Sequence, residues 1–206
     1  MSSIKPVRDG VSDELLTPEN AALVIIDFQP TQINSINSIT REKLIKNIVL
    51  VAKIAKAYGL PIILSTVNVS TGRNQDTIDR LKEELNGIHS YDRTSINAWE
   101  DGEFYEGVKS LNRKKLIICA LWTEACLTFP TIDAINEGYD VYPVVDAIGG
   151  TSKLAHETAL RRVEQVGAQS ITIPQLLCEL QRDWDREETL EEFISLMFET
   201  GAFFNL

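Results

Sequence analysis

Lys115-Leu116-Ile117-Ile118-Cys119-Ala120-Leu121-Trp122-Thr123-Glu124-Ala125-Cys126 is the stretch whose reading decides the fold. Residues 115–121 carry a continuous apolar run. Its length and lack of alternation predict a strand buried on both faces. A short connection follows, and residues 123–137 read as a helix with Gly138 as its stop. Cys126 therefore stands near a helix start, just past the carboxyl end of a buried strand.

The same grammar recurs on both sides. Residues 21–26 (Ala-Ala-Leu-Val-Ile-Ile) form another apolar run, which ends on Asp27. Residues 41–58 place Leu44, Ile48, Val51 and Ala55 at helical spacing, with Gly59 behind them. Strands are expected at 60–67, 139–145 and 169–173, and helices at 76–86, 103–111 and 152–166. Strands alternating with helices predict a three-layer α/β/α domain around a mostly parallel sheet. No linker, repeat or low-complexity tract divides the chain, so one domain is expected over residues 1–206. Residues 178–206 fall outside the alternation and form a helical C-terminal extension in this reading. That tail carries Leu180, Trp184, Leu190, Phe193, Ile194, Leu196, Met197, Phe198, Phe203 and Phe204. It must cover its own domain or a second subunit, and its aromatic and Met content favours the subunit interface.

Composition excludes several classes of function. The 206 residues are 44% hydrophobic, enough for one domain with a core. Thirty acidic residues against 20 basic ones give a net charge of −10. Such a surface repels phosphate backbones and anionic lipid, so neither nucleic acid nor a membrane is expected as partner. No apolar run approaches the ~20 residues of a membrane helix. Residues 1–15 lack the apolar segment of a signal peptide. Three cysteines, Cys119, Cys126 and Cys178, match no zinc spacing, and their odd number points to reduced thiols in a cytoplasmic protein.

In an open α/β sheet, sites form beyond the carboxyl ends of the strands. Asp27 and Cys126 both occupy such ends. A free thiol has a pKa of ~8.5 and needs activation, which a helix N-terminus, a base or a cation supplies. Asp27 is the candidate base that takes the Cys126 proton and returns it to a leaving group. Its bland alternative is a loop-fixing hydrogen bond; that of Cys126 is a small buried hydrophobe, a description that fits Cys119 and Cys178 well. Arg93, in Tyr91-Asp92-Arg93-Thr94-Ser95-Ile96-Asn97-Ala98-Trp99, cannot shuttle protons but can hold a thiolate or carboxylate; its alternative is a solvated cation. His89 and His156 suit bland surface roles. Neither metal-ligand spacing nor a Gly-rich phosphate loop occurs.

Taken together these residues resemble the isochorismatase-like cysteine hydrolase family. The matching pieces are Val24-Ile25-Ile26-Asp27-Phe28-Gln29, Thr123-Glu124-Ala125-Cys126, Asp133-Ala134, Glu137-Gly138-Tyr139-Asp140-Val141 and Val145-Asp146-Ala147. Ile96-Asn97-Ala98-Trp99 after an arginine, Phe129-Pro130, Cys178-Glu179-Leu180 and Arg182-Asp183-Trp184 point to its YcaC-like branch. The resemblance implies a catalytic Asp–cation–Cys triad of Asp27, Arg93 and Cys126, with arginine where much of the family has lysine. It implies a non-proline cis peptide at Trp122–Thr123 and an oxyanion hole of the Ala125 and Cys126 amides. Phe28, Asn97, Trp99 and Trp122 become candidates for the substrate pocket. The stretch 66–76 lacks the histidine of the nicotinamidase metal site, so no metal and no cofactor are expected. The implied activity is cleavage of a C–N amide-type bond of a small molecule through a Cys126 thioester. Isochorismatase-type vinyl-ether hydrolysis, with Asp27 as acid, and a thiol-based redox or ligand-binding protein are the alternatives. The resemblance also implies a homo-oligomer, with an octamer as the branch's example.

Overall fold

The computed structural model describes residues 8–202. Phe203 and Phe204 of the apolar tail, and residues 1–7 of the polar N-terminal segment, lie outside the described residues. Five strands pair in parallel: β1 (Ala21–Ile26), β2 (Ile62–Val67), β3 (Ser90–Arg93), β4 (Lys115–Ala120) and β5 (Asp140–Pro143). Their spatial order is β3-β2-β1-β4-β5. The helices are α1 (Pro30–Ser35), α2 (Arg41–Ala57), α3 (Asp79–Glu84), α4 (Gly102–Ser110), α5 (Thr128–Asn136), α6 (Lys153–Gln165), α7 (Ile173–Gln181) and α8 (Glu187–Thr200).

Every residue of β1 and β4 is buried, as a central strand covered on both faces requires. Each fully buried Leu or Ile there contributes roughly 1.5–3 kcal/mol of transfer free energy. Lys115 opens β4 yet is buried; its Nζ donates to Glu14 O, Tyr142 Oη and Asp140 Oδ2 at 3.0, 3.1 and 3.3 Å. Helix α2 forms where the sequence spacing predicts it. Thr40 Oγ1 caps the Lys43 N–H, and Gly59 closes the helix at φ 65°, a left-handed conformation that glycine adopts without steric cost.

From β1 the chain winds outward to β2 and β3, then returns past β1 to β4 and β5. Right-handed crossovers place the helices of the two winding directions on opposite faces. Packing follows that division: α2 contacts α3, α7 and α8, whereas α5 contacts α6. The result is the three-layer α/β/α architecture that the alternation predicts. Winding reverses between β1 and β4, so the connections leaving their carboxyl ends diverge and open a crevice. Asp27 leaves β1 at that point, and the turn that carries Cys126 leaves β4.

Two expectations change. The strand expected at 169–173 is reduced to a single bridge between Val144 and Ile171. Pro174 lies in the first turn of a helix, where its missing N–H costs nothing, so the chain enters α7 at Ile173 instead. Cys178 therefore sits inside α7, and the helical C-terminal portion begins before residue 178. Of the two places open to the apolar tail, Phe193, Leu196 and Met197 of α8 take the chain's own core, whereas Trp184 and Phe198 stay exposed. Strand β3 carries no apolar run, and only Arg93 of its four residues is buried. An edge strand needs little hydrophobic signal, which is why the sequence pattern passes over it.

Candidate active site

Asp27 follows the fully buried β1 and is itself completely buried. Its φ is 64°, a left-handed conformation that costs a residue with a Cβ about 1–3 kcal/mol and persists only where neighbours hold it. The holding bonds are short. Asp27 N–H donates to Ser65 O at 3.0 Å, and Gln29 N–H donates to Asp27 O at 2.8 Å. Gln29, buried too, spans to β2: Val67 N–H donates to its Oε1, and its Nε2 donates to Val67 O and Gln75 O.

Arg93 ends β3 and grips the Asp27 carboxylate with both arms. Nη1 donates to Oδ1 and Nη2 to Oδ2, each at 2.8 Å. Nη1 also donates to Ser65 Oγ and Thr66 O at 3.0 Å, and Nη2 to Ile96 O at 3.3 Å. Both side chains are 0% exposed. Planar two-point pairing of this kind is open to arginine and closed to lysine. Burial alone would lower the arginine's proton affinity, but the Asp27 hydrogen bonds and charge more than offset it. Neighbouring Asp92 shapes the loop, accepting from Val69 N–H, Ser70 N–H and Thr66 Oγ1.

Cys126 lies in a π-helical turn, Thr123–Leu127, between β4 and α5. It is 8% exposed. Its thiol lies within the electrostatic reach of the Asp27 carboxylate. Burial pushes this thiol up, and the charge of Asp27 pushes it further; Arg93 and a backbone hydrogen bond from Trp122 pull it down by less. Both the burial and the Asp27 charge favour the thiol form of Cys126. Desolvation and the nearby carboxylate act against the thiolate that its place near a helix start favours.

The turn is fastened from several sides. Thr123 N–H donates to Gly149 O at 2.9 Å, and Thr128 Oγ1 donates to Thr123 O at 2.7 Å. Thr123 Oγ1 lies 2.8 Å from His156 Nδ1, across from α6. Glu124 Oε1 accepts from Thr151 N–H and Oγ1. Gly150 lies under the Glu124 carboxylate, and a Cβ there would come within 2.6 Å of Glu124 Oε2. His156 is half-buried and bonded to the Thr123–Leu127 turn, not the bland surface residue expected from sequence. Burial lowers its pKa, which favours the neutral imidazole. Nothing in its helical spacing revealed this, since Thr123 and His156 meet only through tertiary packing.

Other assignments are also corrected. The cis peptide is Leu121–Trp122, one bond earlier than expected at Trp122–Thr123. The Ala125 N–H donates to Trp122 O at 3.1 Å, so this amide is engaged in the turn and does not stand open to an oxyanion. Phe28 is wholly buried in the core. Trp99 is nine-tenths buried; its Nε1 donates to Glu137 Oε1 and its ring meets Phe104, Tyr105 and Tyr139 edge-on. Asn97 donates to Asp133 Oδ2 and accepts from Trp99 N–H, so both act in packing the 94–101 connection against α5. Trp122 is half-buried, with its Nε1 bonded to Ser35 Oγ. A groove of about 920 Å³ beside the amino end of β1, lined by Arg8, Asp13, Tyr58, Arg182 and Arg186 among others, shares no residue with this site.

A buried cysteine, an aspartate and a cation at the β1/β4 switch point of a five-stranded parallel sheet define an isochorismatase-like α/β hydrolase. Residues 21–175 match the Isochorismatase domain, and the chain belongs to that family. It is 35% identical to the probable hydrolase YcaC of Escherichia coli over 170 residues, 82% of this chain and 81% of that one. The crystal structure of the E. coli YcaC gene product, described as an octameric hydrolase of unknown specificity, superposes with a TM-score of 0.81 at 31% identity, covering 92% of this chain and 98% of that one. YcaC from Pseudomonas aeruginosa, solved with hexane-2,5-diol and covalent acrylamide, gives 0.81 at 30% identity, covering 91% and 98%.

Proposed function

We propose that this hydrolase cleaves a C–N amide-type bond of a small molecule through a thioester on Cys126. The observation that carries the proposal is a buried Cys126 thiol in the field of a carboxylate, Asp27, that Arg93 fixes by both oxygens. As sulfur attacks the substrate carbonyl, the Sγ–C bond forms and the thiol proton passes to Asp27. The Cys126 amide holds the oxyanion; the Ala125 amide joins it only by giving up its bond to Trp122 O. The C–N bond then breaks and the amine leaves with the proton from Asp27. Water adds to the thioester, Asp27 takes its proton, and the acid is released as sulfur regains the proton. Arg93 keeps Asp27 in place and stabilises the pair electrostatically. The covalent acrylamide of the P. aeruginosa relative supports a site that admits a small amide.

The pH profile of Cys126 alkylation tests this. In the wild type the proton moves to Asp27 during attack, so the rate changes little around neutral pH. In Asp27→Asn the base is gone, and the rate should climb about tenfold per pH unit because only the thiolate reacts. A wild-type rate that climbs as steeply removes Asp27 as the base.

We further propose a homo-oligomer, as the E. coli relative is described to be. Ile96 and Leu154, 65% and 72% exposed, are large apolar side chains that a second copy would cover. Light scattering should give a multiple of the 23.1 kDa chain mass, and a 23.1 kDa particle at micromolar concentration rules the assembly out. The three unpaired cysteines support a reducing, cytoplasmic setting.

A further inference from the structure

The cation of the site is consumed inside the protein. Nη1 and Nη2 of Arg93 between them serve both oxygens of Asp27, Ser65 Oγ, Thr66 O and Ile96 O. The Nε–H has no partner, but the side chain is 0% exposed, so a ligand reaches it only by displacing protein atoms. The Cys126 turn leaves β4 beside the end of β1, where Asp27 and Arg93 form a closed pair whose charges already neutralise each other. A carboxylate brought to this thiol finds the Arg93 guanidinium already bound to Asp27, and the Asp27 charge repels it as it loses its water. The net charge of −10 opposes its approach at longer range.

We infer that the site selects uncharged carbonyl compounds, such as small primary amides and ureas, and rejects carboxylate-bearing ones. The inference rests on the reading of Cys126 as the nucleophile. It deepens that reading by assigning selectivity to the closed Asp27–Arg93 pair.

Two alkylating reagents of nearly equal size test it directly. Iodoacetamide is neutral and iodoacetate is an anion; both form a Sγ–C bond, expel iodide and release the thiol proton. The wild-type full chain is treated with each, and peptide mass spectrometry follows Cys126 and Cys178 in the same sample. Cys178 is exposed, so its rates carry the overall charge repulsion and the intrinsic reagent difference. The iodoacetamide-to-iodoacetate rate ratio at Cys126 should exceed that at Cys178 by at least about tenfold. A ratio equal to or below that of Cys178 overturns the inference while leaving the nucleophile in place. Cys126 inert to both reagents, with Cys178 reactive, overturns the underlying reading as well. In Asp27→Asn the guanidinium loses its counter-charge, and the Cys126 ratio should fall at least about tenfold towards iodoacetate. An unchanged ratio in a folded Asp27→Asn protein shows that this pair does not set the selectivity. The wild-type ratio decides alone if that variant does not fold.

Discussion

Arg93→Met is expected to destabilise the protein by about 3–5 kcal/mol, the cost of stranding the buried Asp27 carboxylate. The reasoning starts from burial: both side chains are 0% exposed, so neither charge is screened by solvent. Removing the guanidinium deletes its two donors to Asp27 and the bonds to Ser65 Oγ, Thr66 O and Ile96 O together. Urea denaturation measures the effect as a lower midpoint at similar slope. At about 2–4 °C per kcal/mol for a chain of this length, the melting temperature should fall by about 6–20 °C. The single variant Asp27→Asn tolerates the left-handed backbone at that position, since asparagine enters it readily, but leaves Arg93 charged and unpaired. The double variant, Asp27→Asn with Arg93→Met, should recover a substantial part of the loss, because neither buried charge then remains. A loss below about 1 kcal/mol in Arg93→Met, the scale of an exposed pair, would contradict the buried-pair account.

That pair also shows how far the sequence could be read. Strand β1 stands out because Ala21–Ile26 is apolar throughout, and the charged residue after it must be explained. β4 is legible for the same reason, and the two strand ends together locate the crevice. Arg93 is harder: its strand is short, half-exposed and polar, and its partner is 66 positions away. Only the resemblance placed it beside Asp27. The pairing of Thr123 with His156 and the role of Gln29 have no sequence signature, since each joins segments whose approach depends on the packed sheet and helices. The state of Cys126 misled for a different reason. A helix start lowers a thiol's pKa in an open setting, but burial and a neighbouring carboxylate act oppositely and more strongly here. Local position was readable; desolvation was not.

Cys126→Ala should remove amide turnover by a factor of about 10³ or more while leaving the fold intact, because losing a nucleophile eliminates the covalent route. The stability change should stay within about 1.5 kcal/mol, as the substitution removes one sulfur atom from a site that is already nearly closed. Both Asp27 oxygens keep their Arg93 partners when the thiol is lost. Ammonia release from small primary amides, compared between the folded wild type and the variant, gives the measurement. The result also separates the rival chemistries. Hydrolysis of a vinyl ether with Asp27 as acid needs no sulfur, and activity that survives in Cys126→Ala would favour that route over the thioester. A redox or ligand-binding role predicts no ammonia release even in the wild type. The thioester route alone makes turnover depend on both Cys126 and Asp27, since sulfur forms the bond and the carboxylate carries the proton.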